Sequence, residues 1–77
     1  MFVKAILSLD KKNHLKRNLS RLIARKGFTF RHISELTGVP KSTIHRYATD
    51  ENVKAYDLDA LIAIADLFGV TLDDLIY

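Results

Sequence analysis

The chain has 77 residues and a mass of 8.8 kDa, which limits it to one domain with a small core and disfavours an enzyme with a buried active site. Its 48% hydrophobic and 27% charged residues are ordinary for a globular protein, no apolar run approaches the roughly 20 residues of a membrane helix, and the lack of cysteine excludes disulfides and zinc–thiolate sites. The net charge of +3 combines +9 over residues 1–47 with −6 over residues 48–77. Only the first part therefore favours a polyanion as partner. Charged helix faces that are simply exposed to solvent would give the same pattern.

Residues 1–12 form an N-terminal extension, for which the sequence allows either a β-strand or a helix. Apolar side chains alternate from Val3 to Leu9, which fits a β-strand, while a helical extension packed on the core remains equally open. A lone strand would leave backbone groups unpaired, so a strand here would most readily pair with the same segment of a second subunit. The segment has no small-residue cleavage pattern, and a cytoplasmic location without a signal peptide is expected.

The first helix is predicted over about 14–26. Asn13 is a suitable N-cap, and Gly27 suits a left-handed C-terminal cap. A buried stripe follows the spacing i, i+4, i+7 and i+8, and consists of Leu15, Leu19, Leu22 and Ile23. Beyond the glycine, Phe28 is expected to fold back onto this stripe.

Two short helices follow, joined by a glycine turn. Thr29 caps a helix over about 30–37, with Ile33 and Leu36 facing inward. Gly38 ends it, and Pro40 opens the next helix, which runs to residue 47 or 48. In that helix the inward side chains are Ile44 and Tyr47.

The second half contains two more helices after a loop over 49–56. Asp57 caps a broadly apolar helix over about 58–68, in which Ile62 is counted with the core residues. Thr71 caps a final short helix that has acidic residues in its first turn. Val70 and Leu75 have the spacing of a hydrophobic staple.

The segment over 30–47 has the pattern of a helix-turn-helix, because two short helices flank a tight turn at Gly38. Here the chain resembles the lambda-repressor and Cro family, also called the Xre-type helix-turn-helix family. The resemblance covers about residues 14–77 and rests on two blocks, Leu36 to Ile44 and Leu61 to Leu75. It implies an all-α, compact five-helix domain over 13–77 that binds operator DNA as a homodimer. The dimer contact is expected either on the acidic last two helices or on the segment 1–12, a possible dimerisation strand that lies outside the resemblance.

The resemblance also implies roles for side chains in and near the second helix of the motif. The predicted base contacts are Lys41, Ser42 and Arg46, which match positions where family members read bases, and His45, which lies on the same exposed face of the helix. The predicted phosphate contacts are Phe30, at a family phosphate position, and, from their places in the chain, Arg31, Thr43, Lys54 and Arg17, with a solvated helix face as the alternative at Arg17. For Lys41 and Arg46 a phosphate contact is the alternative, and His45 could be an ordinary surface histidine.

Three positions depart from the family pattern. Phe30 stands where the family often has a glutamine that braces the recognition helix, so this brace must differ or be absent. Ser34 replaces a small alanine and must find a hydrogen bond. In the loop after the third helix, where the family usually has a glutamate and a glycine, Ala48, Asp50 and Asn52 fill the region and the loop is about two residues longer.

The sequence therefore predicts a sequence-specific, double-stranded DNA-binding regulator, in the manner of a small Cro-like repressor or autoregulator of bacteria or their phages. The alternative is a protein-interaction module, such as the antitoxin of a toxin–antitoxin pair with secondary DNA binding. No cofactor motif and no metal-ligand spacing is present, because the three histidines are scattered, and His32 is expected to pair with Glu35 on the helix surface.

Overall fold

The computed structural model describes residues 6–8, 14–50, 53 and 55–77. Within these ranges the chain forms five helices and one short two-stranded sheet, which confirms the predicted all-α architecture. In chain order the elements are β1 (Ile6–Ser8), α1 (Leu15–Lys26), α2 (Phe30–Thr37), α3 (Lys41–Thr49), β2 (Ala55–Asp57), α4 (Leu58–Phe68) and α5 (Leu72–Ile76).

One continuous core joins all five helices. Leu15 and Leu19 of α1 are fully buried, as the helical spacing predicts, and α4 contributes more buried residues than any other described helix. Phe28 packs on this core, with its ring 5.7 Å from that of Phe68 on α4. The buried side chains are Leu15, Leu19, Ile33, Val39, Ile44, Tyr47, Ala48, Tyr56, Ala60, Leu61, Ile64, Ala65, Phe68, Leu75 and Ile76.

Side-chain caps fix where three of the helices begin. The Thr29 hydroxyl accepts the His32 N–H at 3.0 Å, and the Asp57 carboxylate accepts two N–H groups from the first turn of α4. Thr71 and Asp74 form a reciprocal capping box at α5. All three of these N-cap residues were predicted from the sequence. At α1 the N-cap residue is His14 instead of Asn13, and Asn13 lies outside the described residues.

The loop predicted over 49–56 contains a strand, β2, and the N-terminal strand finds a partner within its own chain; its pairing with a second subunit stays a prediction. β1 pairs antiparallel with β2 of its own chain, with Leu7 opposite Tyr56, so the strand has a partner without a second subunit. The alternation in residues 1–9 carried the strand signal, whereas three residues of β2 after a polar loop are too few for a periodic pattern.

The direction of one amide shows which groups of β1 face outward. The Asp57 N–H donates to the Tyr47 hydroxyl at 2.8 Å and therefore points away from β1. Because hydrogen-bonded and non-hydrogen-bonded pairs alternate in an antiparallel ladder, the pair Leu7 and Tyr56 carries the hydrogen bonds. The backbone N–H and C=O groups of Ile6 and Ser8 then lie along the outer edge, with which no other strand of the described residues pairs.

Two tyrosines attach β2 to α3. The rings of Tyr47 and Tyr56 lie 4.9 Å apart, and the Tyr56 hydroxyl donates to the Val53 carbonyl. Burial of the ring raises the pKa of Tyr56 above its ordinary value, and the neighbouring Tyr47 adds to the effect. The sheet is thereby anchored to α3 by the contact between the two tyrosine rings and by the hydrogen bond from the Asp57 N–H to the Tyr47 hydroxyl.

Two side chains expected inside are exposed. Leu36 is 54% exposed and Ile62 is 48% exposed. Leu36 lies three residues after the buried Ile33 and one residue before α2 ends, and its side chain is exposed in this last turn. Ile62 lies between Asp59 and Asp66 on the outer face of α4. Among the described residues no helix is both long and apolar enough to cross a membrane.

Replacing Tyr47 by phenylalanine tests the attachment of β2 to α3. We expect Tyr47→Phe to lower the free energy of unfolding by about 1–2 kcal/mol, because the partly buried Asp57 N–H loses its acceptor. Urea denaturation followed by circular dichroism measures the change. The matched control Tyr77→Phe, at a ring that is 69% exposed, should leave stability unchanged. Equal stability of Tyr47→Phe and the parent chain would contradict this account.

Candidate nucleic-acid interface

The turn between α2 and α3 is built from local hydrogen bonds around a left-handed glycine. Gly38 has φ of 76°, and its N–H donates to the Ser34 carbonyl at 2.9 Å. The Ser34 hydroxyl donates to the Val39 carbonyl at 2.6 Å, so the serine has the hydrogen bond that the sequence required of it. The Thr37 hydroxyl donates to the Ile33 carbonyl and accepts a hydrogen bond from the Val39 N–H. Its side chain therefore stabilises the turn.

This turn sets α3 so that one of its faces is buried and the other is open. Ile44, Tyr47 and Ala48 pack inward, and the Ser20 hydroxyl of α1 donates to the Ala48 carbonyl at 2.7 Å. The outer face carries no carboxylate between residues 41 and 49. The four predicted base-contact residues all lie exposed on it, namely Lys41, Ser42, His45 and Arg46.

Two of these exposed side chains rest against aromatic rings. The His45 ring meets the Phe30 ring edge to face, with centroids 5.3 Å apart and planes at 84°. The Arg46 guanidinium lies 5.5 Å from the centroid of the Tyr47 ring, within the range of a cation–π contact. Sequence periodicity does not reveal the Phe30 contact, since it joins two different helices. The aromatic side chain at the first position of α2 was its only signal.

The N-terminus of α2 offers candidate phosphate donors. Thr29 accepts the third N–H of the helix, that of His32, which leaves the N–H groups of Phe30 and Arg31 directed out of the helix end. The Phe30 ring cannot donate a hydrogen bond and faces His45, so its predicted phosphate contact is restricted to the backbone amide. The Arg31 side chain is exposed and lies 3.2 Å from Glu35.

The remaining predicted phosphate contacts are spread around α3. Arg17 is exposed on α1, one turn before Ser20, whose hydroxyl binds the end of α3. Thr43 is half-buried and borders a surface groove of about 400 Å³ that also touches Arg46, β2 and the first turn of α4. Lys54 lies outside the described residues.

The pair predicted between His32 and Glu35 does not form. Glu35 pairs with Arg31 instead, at i and i+4, while the His32 ring lies 5.2 Å from that of Phe28. An arginine four residues away reaches a carboxylate more readily than an imidazole three residues away that is drawn to an aromatic ring. Nowhere in the described part of the chain do three or more His, Asp or Glu side chains gather as a metal-binding group.

Comparisons with known proteins agree with this geometry. The model of the Cro/C1-type HTH DNA-binding domain matches residues 18–77. The crystal structure of a transcriptional regulator from Listeria innocua superposes with a TM-score of 0.70 at 33% sequence identity. The match covers 83% of this chain and 58% of that protein, so the chain spans little more than half of its length. No curated protein matches the chain significantly.

The left-handed turn predicts the effect of adding a side chain at residue 38. A Cβ there would meet no atom within 4 Å, so backbone strain alone decides the outcome. We expect Gly38→Ala to lower the free energy of unfolding by about 1 kcal/mol in urea denaturation. Gly38→Asn is the matched control and should lose less, because asparagine tolerates this conformation. Unchanged or higher stability of Gly38→Ala would be inconsistent with the turn described.

Proposed function

Since this chain belongs to the Cro/C1-type HTH DNA-binding domain family, we propose that it is a transcriptional regulator that recognises specific double-stranded DNA sequences through α3. In this proposal it acts as a small repressor or autoregulator, and a homodimer occupies a near-palindromic operator. Two-fold symmetry then requires half-sites about one helical turn, roughly 34 Å, apart.

The exposed cationic face of α3 carries the proposal. Its inner side chains are buried against the rest of the domain, and its outer face bears Lys41, His45 and Arg46 without a carboxylate. A major groove about 12 Å wide admits a helix of this kind. The acidic residues of α4 and α5 lie outside α3, although Asp57 and Asp59 border the same groove as Arg46.

Affinity and specificity would come from different groups. Arg31, Arg17 and the first N–H groups of α2 would meet phosphates, which contribute binding energy that falls steeply with salt concentration. Arg46 and Lys41 suit the O6 and N7 acceptors of guanine. The ring of Tyr47 restricts Arg46, so less side-chain entropy is lost when the guanidinium docks on a base.

Selection of bound sequences from random duplex DNA at fixed salt, followed by affinity measurements on variants, tests the proposal. Arg46→Lys should keep the salt dependence of binding but lose about 1–3 kcal/mol of discrimination at one base pair, because lysine lacks the two-pronged geometry of arginine. Arg46→Ala should in addition reduce the salt slope by about 1. If selection returns no preferred sequence, base reading by α3 is wrong, and if Arg46→Ala keeps the full preference, base reading by Arg46 is wrong.

The outer edge of β1 is the surface that we assign to the homodimer. The N–H and C=O groups of Ile6 and Ser8 face outward there, and an antiparallel copy of β1 would pair with them across a two-fold axis. The rival surface on α4 is less suitable. Its exposed Ile62 lies between Asp59 and Asp66, and a two-fold contact centred on that residue would bring like charges together.

A proline at residue 8 tests this edge, because it removes the outward N–H but leaves the ladder bonds of Leu7 intact. We expect Ser8→Pro to be monomeric in analytical ultracentrifugation at concentrations where the parent chain is dimeric. The control Ser8→Ala keeps the N–H and should stay dimeric. A dimeric Ser8→Pro protein, or a parent chain that is monomeric throughout, would exclude the β1 edge as the interface.

A further inference from the structure

We propose that Phe30 is a positioning residue that fixes the orientation of the His45 ring on the outer face of α3 and so contributes to base selectivity. This inference rests on the proposed function, because it concerns which base that face prefers. It joins a residue that opens α2 to a residue in the middle of α3, through a contact between two aromatic rings.

Phe30 is well suited to hold another ring. Its side chain is half-buried and packs against the core, so its own position is restrained. It approaches His45 at a centroid distance of 5.3 Å with nearly perpendicular planes, which is the favourable edge-to-face arrangement of aromatic pairs. His45 is itself exposed, and without this contact its ring would rotate in solvent.

The orientation of an imidazole determines what it offers to a base. In the neutral ring one nitrogen donates and the other accepts, and the two lie at different positions on the ring. A contact with Phe30 on one side of the ring limits which nitrogen can face the DNA. His45 would thus present a defined donor or acceptor, where a freely rotating ring would present both in turn.

The effect should be confined to His45. Arg46, its neighbour on α3, rests on the Tyr47 ring at 5.5 Å and therefore has a separate restraint. Phe30→Leu keeps an apolar side chain against the core but removes the ring, whereas Phe30→Tyr keeps the ring. The two variants therefore separate aromatic positioning from simple packing.

A double-mutant cycle on the preferred duplex measures the coupling. Phe30→Leu should weaken specific binding about 2- to 10-fold and leave binding to unrelated duplex DNA unchanged. In a His45→Ala background, Phe30→Leu should have no further effect. In the chain that keeps His45, Phe30→Tyr should bind with the affinity of the parent chain. Additive losses, or an equal loss on unrelated DNA, would overturn the inference.

A second measurement needs no DNA and so distinguishes failure of this inference from failure of the proposed function. In the full-length free chain, the ring of Phe30 should displace the NMR resonances of the His45 ring protons by its ring current. Phe30→Leu should move these resonances towards values of an exposed histidine, Phe30→Tyr should retain them, and the thermal midpoint reports any loss of fold. Unmoved resonances in a folded Phe30→Leu chain would show that Phe30 does not position His45.

Discussion

The outer face of α3 is available because its inner face is fully engaged. Ile44 and Tyr47 are almost completely buried, and the turn at Gly38 lets them reach the core without turning the outer face inward. In a domain of this size a single buried face must hold the helix in place, since little other surface is available to do so. The positions of the exposed cations follow from that burial.

The residues around α3 extend this arrangement outward. Phe30 and Tyr47 each place an aromatic ring against one exposed side chain, one against His45 and the other against Arg46. Tyr47 makes a second contact, because its hydroxyl also accepts a hydrogen bond from the N–H of Asp57, the residue that caps α4. One side chain therefore belongs to the core, to the candidate interface and to the junction with β2. A change at this position would alter all three, so variants at residue 47 are poor probes of DNA contact alone.

Local sequence signals predicted the five helices and three of their N-caps, while contacts between distant segments were harder to infer. Thr29, Asp57 and Thr71 cap helices as expected because capping depends on residues within one turn. The pairing of β1 with β2 joins segments about 50 residues apart and left no periodic trace in β2. Likewise the spacing from Ile33 predicted Leu36 inside, whereas the side chain is exposed in the last turn of α2. For the candidate site, spacing from the turn placed the exposed residues of α3, but not the rings that restrain two of them.

The long separation between β1 and β2 has a consequence for the order of folding. The helices also meet across the chain, since α1 contacts α3 and α5 and α2 contacts α4, in addition to the neighbouring pairs α2 with α3 and α4 with α5. Closing a loop of about 50 residues costs entropy before any contact is gained, and the contact of α1 with α5 closes a loop of similar length, so both the sheet and the core wait for the second half of the chain. During synthesis β1 leaves the ribosome well before β2 exists, and in that interval its hydrogen-bonding groups are served by water or by another chain.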